Sequence, residues 1–232
     1  MNNKKIALIT GGNRGIGFEI SRQLAKKGVL VILTARDKKN GKAAAEQLER
    51  EHLVVISHPL EVTDQNSINH LVEFVAARYG KLDILVNNAG ILINSNNAIL
   101  TSTEDLSDTL ATNLIGPFSM IQSFYMLLKK SEAGKVINIS SGMGSLLEME
   151  GTHTAYRISK AALNALTVTT SADFQNTGLK IFSMCPGWVR TRMGGKSAPK
   201  SPAEAANTAI WLALENEAQS GKFYRDKRMI DW

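Results

Sequence analysis

Alternation constrains this chain more than any other feature of its sequence. Short runs of aliphatic and β-branched residues at positions 6–10, 29–34, 53–57, 82–86, 136–139 and 180–184 are each separated from the next by a stretch long enough for a crossover helix. Strands joined in this way pair in parallel, and a parallel sheet buries both of its faces under helices. The expected fold is therefore α/β, one doubly wound domain over residues 1–232, with a short seventh strand around 222–224 closing the sheet. A length of 232 residues suits one large core, and the chain shows no internal repeat, low-complexity tract or linker. Helix signals fill the gaps. Ser201-Pro202-Ala203-Glu204 reads as a capping box opening a helix to about Leu214, and Thr101 and Glu104 repeat that spacing ahead of a helix running toward Asn113.

Open sheets of this kind gather ligands beyond the carboxyl ends of their strands. The residues just past each run are the unusual ones: Gly11-Gly12-Asn13-Arg14-Gly15-Ile16-Gly17, then Arg36-Asp37, Glu61-Val62, Asn87-Asn88-Ala89-Gly90, Ser140-Ser141-Gly142 and Pro186-Gly187. All six point to one edge.

Gly11, Gly15 and Gly17 stand between a strand and a helix beginning near Ile16. Glycine allows a tight turn and close backbone approach, while a helix start offers free amides and partial positive charge, which together suit a pyrophosphate. The spacing is not the commoner G-x-G-x-x-G, and an ordinary glycine-rich turn is the alternative. At the end of the second strand an acidic residue would favour NAD, whereas Arg36, with Arg14 approaching from the glycine turn, offers forked donors to the 2′-phosphate of NADP. Asp37 follows immediately and argues the other way. Tyr156 and Lys160, four apart in a helical stretch over residues 155–174, share one face, where an ammonium can draw the phenol toward the working range. Ser141 could hold a substrate oxygen while Tyr156 moves the proton.

Other chemistry finds less support. The formal charge of +6 comes from basic residues scattered among 21 acidic ones, and the densest group, around Lys222 to Arg228, reads as solvated surface. No nucleic-acid partner is expected. No apolar stretch reaches signal-peptide or membrane-spanning length, and one cysteine, Cys185, makes no intrachain disulfide, so the cytoplasm is the expected compartment. Cys185 lacks a neighbouring histidine and reads as an inert thiol at a strand end. His52, His58, His70 and His153 show no metal-ligand spacing, so no metal is expected, though His153 lies near enough to Tyr156 to border a substrate. The sequon Asn138-Ile139-Ser140 falls in a strand and is discounted.

Taken together and in order, Thr10-Gly11-Gly12-Asn13-Arg14-Gly15-Ile16-Gly17, Asn87-Asn88-Ala89-Gly90, Asn113, Asn138-Ile139-Ser140-Ser141, Tyr156-Arg157-Ile158-Ser159-Lys160 and Pro186-Gly187 resemble the short-chain dehydrogenase/reductase family over nearly the whole chain. The phrases Leu33-Thr34-Ala35-Arg36-Asp37 and Cys185-Pro186-Gly187-Trp188-Val189-Arg190-Thr191 are similar to its carbonyl-reductase branch. The resemblance implies a Rossmann-type fold and NADP(H)-dependent interconversion of a carbonyl and an alcohol in a small molecule. It implies a catalytic set of Asn113, Ser141, Tyr156 and Lys160, with Lys160 also on the nicotinamide ribose and Asn113 anchoring a relay water. Asn88 and Gly90 would line the adenosine side, Glu61 and Val62 the adenine, and Val189 and Thr191, beyond Pro186 and Gly187, the nicotinamide amide. Homodimers or homotetramers are implied as well. A non-catalytic dinucleotide-sensing or scaffold protein on the same fold is the rival, against which all four catalytic positions are filled. Glu61 stands where the family has aspartate, Arg192 where an acid is frequent, and the stretch from Met193 to Lys200 is short for a substrate-covering lid, implying an open pocket.

Overall fold

The computed structural model describes residues 4–232. In chain order it contains β1 (Ile6–Ile9), α1 (Gly15–Lys26), β2 (Leu30–Ala35), α2 (Lys38–Glu49), β3 (Val55–Pro59), α3 (Gln65–Tyr79), β4 (Ile84–Asn87) and α4 (Thr103–Leu110). A π-helical turn (Ala111–Ile115) leads into α5 (Gly116–Lys129), followed by β5 (Lys135–Ile139), α6 (Thr154–Asp173), β6 (Lys180–Met184), α7 (Pro202–Leu214), β7 (Lys222–Arg225) and β8 (Arg228–Ile230). The strands form one sheet in the order β3-β2-β1-β4-β5-β6-β7-β8, parallel from β3 to β7. The direction of winding reverses between β1 and β4, where a ligand crevice is expected.

β1 shows why both faces are covered. Ala7 and Ile9 pack with Ile20 and Leu24 of α1 and with α7, whereas Ile6 and Leu8 pack on the opposite side with Leu71 of α3 and Phe124 of α5. Alternate side chains of a strand point to opposite faces, so an unbroken apolar run demands two helical layers. Asn138 is fully buried within β5, out of reach of glycosylation.

Two expectations are corrected. The sheet has eight strands rather than about seven: the charged Arg225-Asp226-Lys227-Arg228 segment is a tight hairpin, with Asp226 at φ 51° and Lys227 at φ 62°, that turns β8 back antiparallel on β7. Two successive left-handed residues match the right-handed twist of the flanking strands. The cap of α4 is Ser102, whose Oγ accepts from the Asp105 amide at 3.0 Å, while Thr101 donates instead to the Asn97 carbonyl. The capping box of α7 forms as expected, Ser201 Oγ accepting from the Glu204 amide and the Glu204 carboxylate accepting from the Ser201 amide.

Candidate active site

The glycine turn follows β1 at the reversal point. Gly11 and Gly15 hold φ of +62° and +56°, values that side chains rarely adopt. Gly17 is required for another reason: a Cβ there would lie 2.6 Å from the Gly11 carbonyl oxygen and overlap the Asn88 amide. Asn88 Nδ2 donates to the carbonyls of Thr10 (2.8 Å) and Gly11 (3.1 Å), and Thr10 Oγ1 accepts from the amides of Asn88 and Ala89. Asn88 thus ties the end of β4 to the turn. α1 starts at Gly15 with no side-chain cap and no acidic residue in its first turn, while α2, α3, α4 and α7 are each capped by a side chain. Its free amides and dipole are left for a ligand. Across the crevice Thr191 Cγ2 lies 3.3 Å from where a Gly15 Cβ would stand, so the turn and the post-β6 segment face each other closely. The cradle fits a diphosphate. Asn13 and Ile16 are half-buried in it and Arg14 is exposed at its rim.

At the end of β2, Asp37 proves to be the N-cap of α2, its Oδ1 accepting from the amides of Lys39 (2.7 Å) and Asn40 (3.0 Å). That engagement ties one carboxylate oxygen to the helix start and gives Asp37 a role independent of the ribose. Arg36 is left exposed, with Glu61 Oε2 3.9 Å from its Nε. Glu61 is itself held through Oε1 by the Thr63 hydroxyl (3.0 Å), and Val62 is buried against Gly116.

The four catalytic candidates meet beside the crevice. Asn113 is fully buried in the π turn, where its Oδ1 accepts from the Ile91 amide (2.8 Å) and its Nδ2 donates to the Ile91 carbonyl (2.9 Å) and to Ser159 Oγ (3.0 Å). Four residues on is Pro117, which has no N–H to give the Asn113 carbonyl, so the helix cannot close its regular bond at that point. Lys160 Nζ donates to the Ile139 carbonyl at 2.8 Å, sits 5.6 Å from the centre of the Tyr156 ring, and is 3.6 Å from the position of a Cβ on Gly90. Gly90 therefore borders Lys160 and Asn113, on the catalytic side and not at the adenosine end expected from sequence, and any side chain there would enter the space between them. The Ser141 hydroxyl accepts from the Met143 amide at 3.1 Å and lies near enough to the Tyr156 phenol to lower its pKa.

The electrostatics correct the expectation from sequence. Burial pushes the Tyr156 phenol up to about 12, opposed by the Ser141 hydrogen bond and reinforced by Cys185, and burial brings Lys160 down to about 8. Burial is the largest influence on both groups, and it favours the protonated phenol at neutral pH.

The remaining positions shape the surroundings. Gly187 takes φ +79° against Lys200, and Val189 is buried and bridged to Lys200. The Trp188 indole donates to the Gly194 carbonyl at 2.8 Å, and the Arg190 guanidinium donates to the Ala198 and Pro199 carbonyls. The stretch from Met193 to Lys200 is therefore folded back on itself instead of arching over the site. A cavity of about 430 Å³ opens on the loop after Ser141, walled by Gly142, Met143, Leu147, Met149 and the ion-paired Arg157 and Glu150. His153 precedes α6 at φ 52°, its ring nitrogen 3.0 Å from the Thr152 hydroxyl. Cys185 is buried, its Sγ accepting from the Gly142 amide at 3.1 Å. Among the described residues no His, Cys, Asp and Glu cluster could hold a metal, and no helix is long and apolar enough to cross a membrane.

Sequence reasoning missed Ser159, whose hydroxyl donates to the Tyr156 carbonyl (2.8 Å) and joins Asn113 to the catalytic helix. It lies three residues after Tyr156, on the shared face, and that spacing was the available signal. Thr10 and Pro117 were likewise unassigned.

A doubly wound sheet with a glycine-lined cradle at its reversal point and a Ser–Tyr–Lys–Asn constellation beside it defines a dinucleotide-dependent oxidoreductase. The chain belongs to the short chain dehydrogenase family, whose sequence model matches residues 5–202. Its relatives include a bovine carbonyl reductase [NADPH] 1 (Bos taurus) and an Arabidopsis thaliana (+)-neomenthol dehydrogenase, each 34% identical with 98% of both chains covered. The NADPH-bound carbonyl reductase from chicken fatty liver superposes with a TM-score of 0.89 at 33% identity, covering 99% of each chain. The bovine alignment runs over 275 positions against 232 residues here, so at least 43 positions of that enzyme have no counterpart in this chain.

Proposed function

We propose that this protein reduces a ketone, aldehyde or quinone carbonyl of a small organic molecule to the alcohol, with NADP(H) as its cofactor. The observation that carries the reading is the Tyr156 phenol beside Ser141, with Lys160 Nζ 5.6 Å from the centre of its ring, at the edge of the glycine cradle. When bound, NADPH supplies the hydride that reaches the carbonyl carbon. The diphosphate would lie on the amides from Asn13 to Gly17, the adenosine end toward Arg14, Arg36, Glu61 and Val62, and the nicotinamide end toward Gly90, Lys160, Pro186, Gly187, Val189 and Thr191.

Ser141 donates to the substrate oxygen and fixes it at the phenol. Tyr156 gives that oxygen its proton as negative charge develops there. Lys160, brought down to about 8 and still mostly protonated near pH 7, then relays a proton toward the phenolate, and the Asn113 carbonyl, denied its regular helical partner by Pro117, is placed to anchor the water that refills it. Support for assembly into a homodimer or homotetramer comes from Phe118 and Met126 on α5 and Ile158 and Val168 on α6, apolar side chains left exposed on adjacent helices. The single buried thiol is in keeping with a cytoplasmic setting.

Replacing Tyr156 with phenylalanine tests the assignment. NADPH affinity, followed by calorimetric titration, stays within about twofold, and turnover of a panel of aldehydes, ketones and quinones falls by roughly 10²–10⁴-fold. Parental turnover in that variant would remove Tyr156 from the role of acid.

A further inference from the structure

The end of β3 carries a negative charge where the cofactor reading above leaves the least room for one. Arg36 is 73% exposed, and the one carboxylate within 4 Å of it among the described residues is Glu61. Glu61 is not a free surface acid. Its Oε1 accepts from both the Thr63 hydroxyl (3.0 Å) and the Thr63 amide (3.3 Å), and its backbone amide donates to Ser67 Oγ (3.0 Å), which aims Oε2 at the guanidinium. The other nearby acid, Asp37, is turned into the α2 amides.

We infer that Glu61 is a specificity-determining residue that competes with the 2′-phosphate of NADPH for Arg36, and so narrows the chain's preference for NADPH over NADH. The inference rests on the NADP(H) reading and assigns Glu61 a role other than contact with adenine. Thr63 keeps the carboxylate in place when a phosphate arrives, so the phosphate meets a partly neutralised arginine and a fixed charge of its own sign. Two unit charges about 4 Å apart at a solvated surface shift an equilibrium by roughly fivefold. NADH has no 2′-phosphate and is indifferent to the pair. An aspartate, one methylene shorter, would withdraw the charge from Arg36, and the glutamate is what brings it within reach.

The test is calorimetric titration of the full chain with NADPH, NADH, adenosine 2′,5′-bisphosphate and 5′-AMP, the last two differing only in the 2′-phosphate. In Glu61→Gln the dissociation constants for NADPH and the bisphosphate fall by about three- to tenfold, while those for NADH and 5′-AMP move by less than twofold. Glu61→Asp gives an intermediate gain, and it keeps the inference testable should Glu61→Gln fold poorly. In an Arg36→Met background the gain from Glu61→Gln vanishes. Equal weakening of NADPH and NADH binding would make Glu61 an adenine contact and overturn the inference, as would unchanged NADPH affinity in both variants. Failure of the parent chain to bind either dinucleotide would instead overturn the cofactor reading itself.

Discussion

Gly17→Ala tests the packing of the cofactor turn without touching a charged or catalytic group. The added methyl would stand 2.6 Å from the Gly11 carbonyl oxygen and on top of Asn88 Nδ2. Neither neighbour can retreat cheaply, because one is backbone in a strained turn and the other is held by two carbonyls. Displacing the Asn88 amide forfeits two hydrogen bonds at about 1 kcal/mol each. Overpacking the helix–strand contact adds about 1–3 kcal/mol. The sum, about 3–5 kcal/mol, corresponds to a Tm lower by roughly 10–15 °C for a chain of this size. Gly15→Ala is the control: its methyl meets only the Thr191 methyl at 3.3 Å, and the left-handed φ costs about 1–2 kcal/mol. Differential scanning fluorimetry and urea titration of both variants should rank Gly17→Ala well below Gly15→Ala. Equal Tm losses, or a Gly17→Ala variant as stable as the parent, would refute the claim that close approach, and not turn conformation, fixes glycine at position 17.

Asp37→Asn should leave the α2 cap intact, since asparagine caps as well as aspartate, and should not weaken NADH binding, whereas Asp37→Ala costs about 1 kcal/mol of stability. A tenfold loss of NADH affinity in Asp37→Asn would restore Asp37 as a ribose ligand. Lys135 is buried with its ammonium donating to the Glu215 carbonyl, and burial brings it down to about 8, as it does Lys160. Between about 8 and 10.5 the unfolded chain holds protons that the folded one has released, so stability rises with pH across that window, by up to about 1.4 kcal/mol per unit per lysine. Tyr156, raised to about 12, opposes this above pH 10. Urea denaturation from pH 7 to 10 should show the rise, and Lys135→Met should remove about half of it; a flat profile in the parent would exclude the buried-lysine account.

Most strands were legible because each has an apolar centre, and the site edge because unusual residues follow the first six; β3, with the sequence Val-Ile-Ser-His-Pro, runs over Val55–Pro59 and not 53–57, since Ser57 and His58 dilute its apolar pattern. Ser201-Pro202-Ala203-Glu204 announced α7 through chemistry that is entirely local. Features that depend on tertiary surroundings were not legible. β8 hides in Arg225-Asp226-Lys227-Arg228, where the turn lacks the glycine or asparagine that usually marks two left-handed residues. Asp37 looked like a competitor for ribose until the register of α2 turned its carboxylate into a cap. The protonation of Tyr156 and Lys160 follows from burial, which residue spacing does not encode, so the four-residue separation located the pair and misjudged its electrostatics.

The π turn at Ala111–Ile115 also sets a phase. Wide turns of this kind are one residue longer than the regular helix they interrupt, and an α-helix advances about 100° per residue. Asn113 faces Ile91 and Ser159, while Met120, Phe124 and Leu127 of α5 face the sheet, and one unbroken α-helix would not orient both sets correctly. Deleting a single residue such as Leu114 would straighten the rod and rotate one half against the other, forcing a choice between a seated asparagine and a sealed interior.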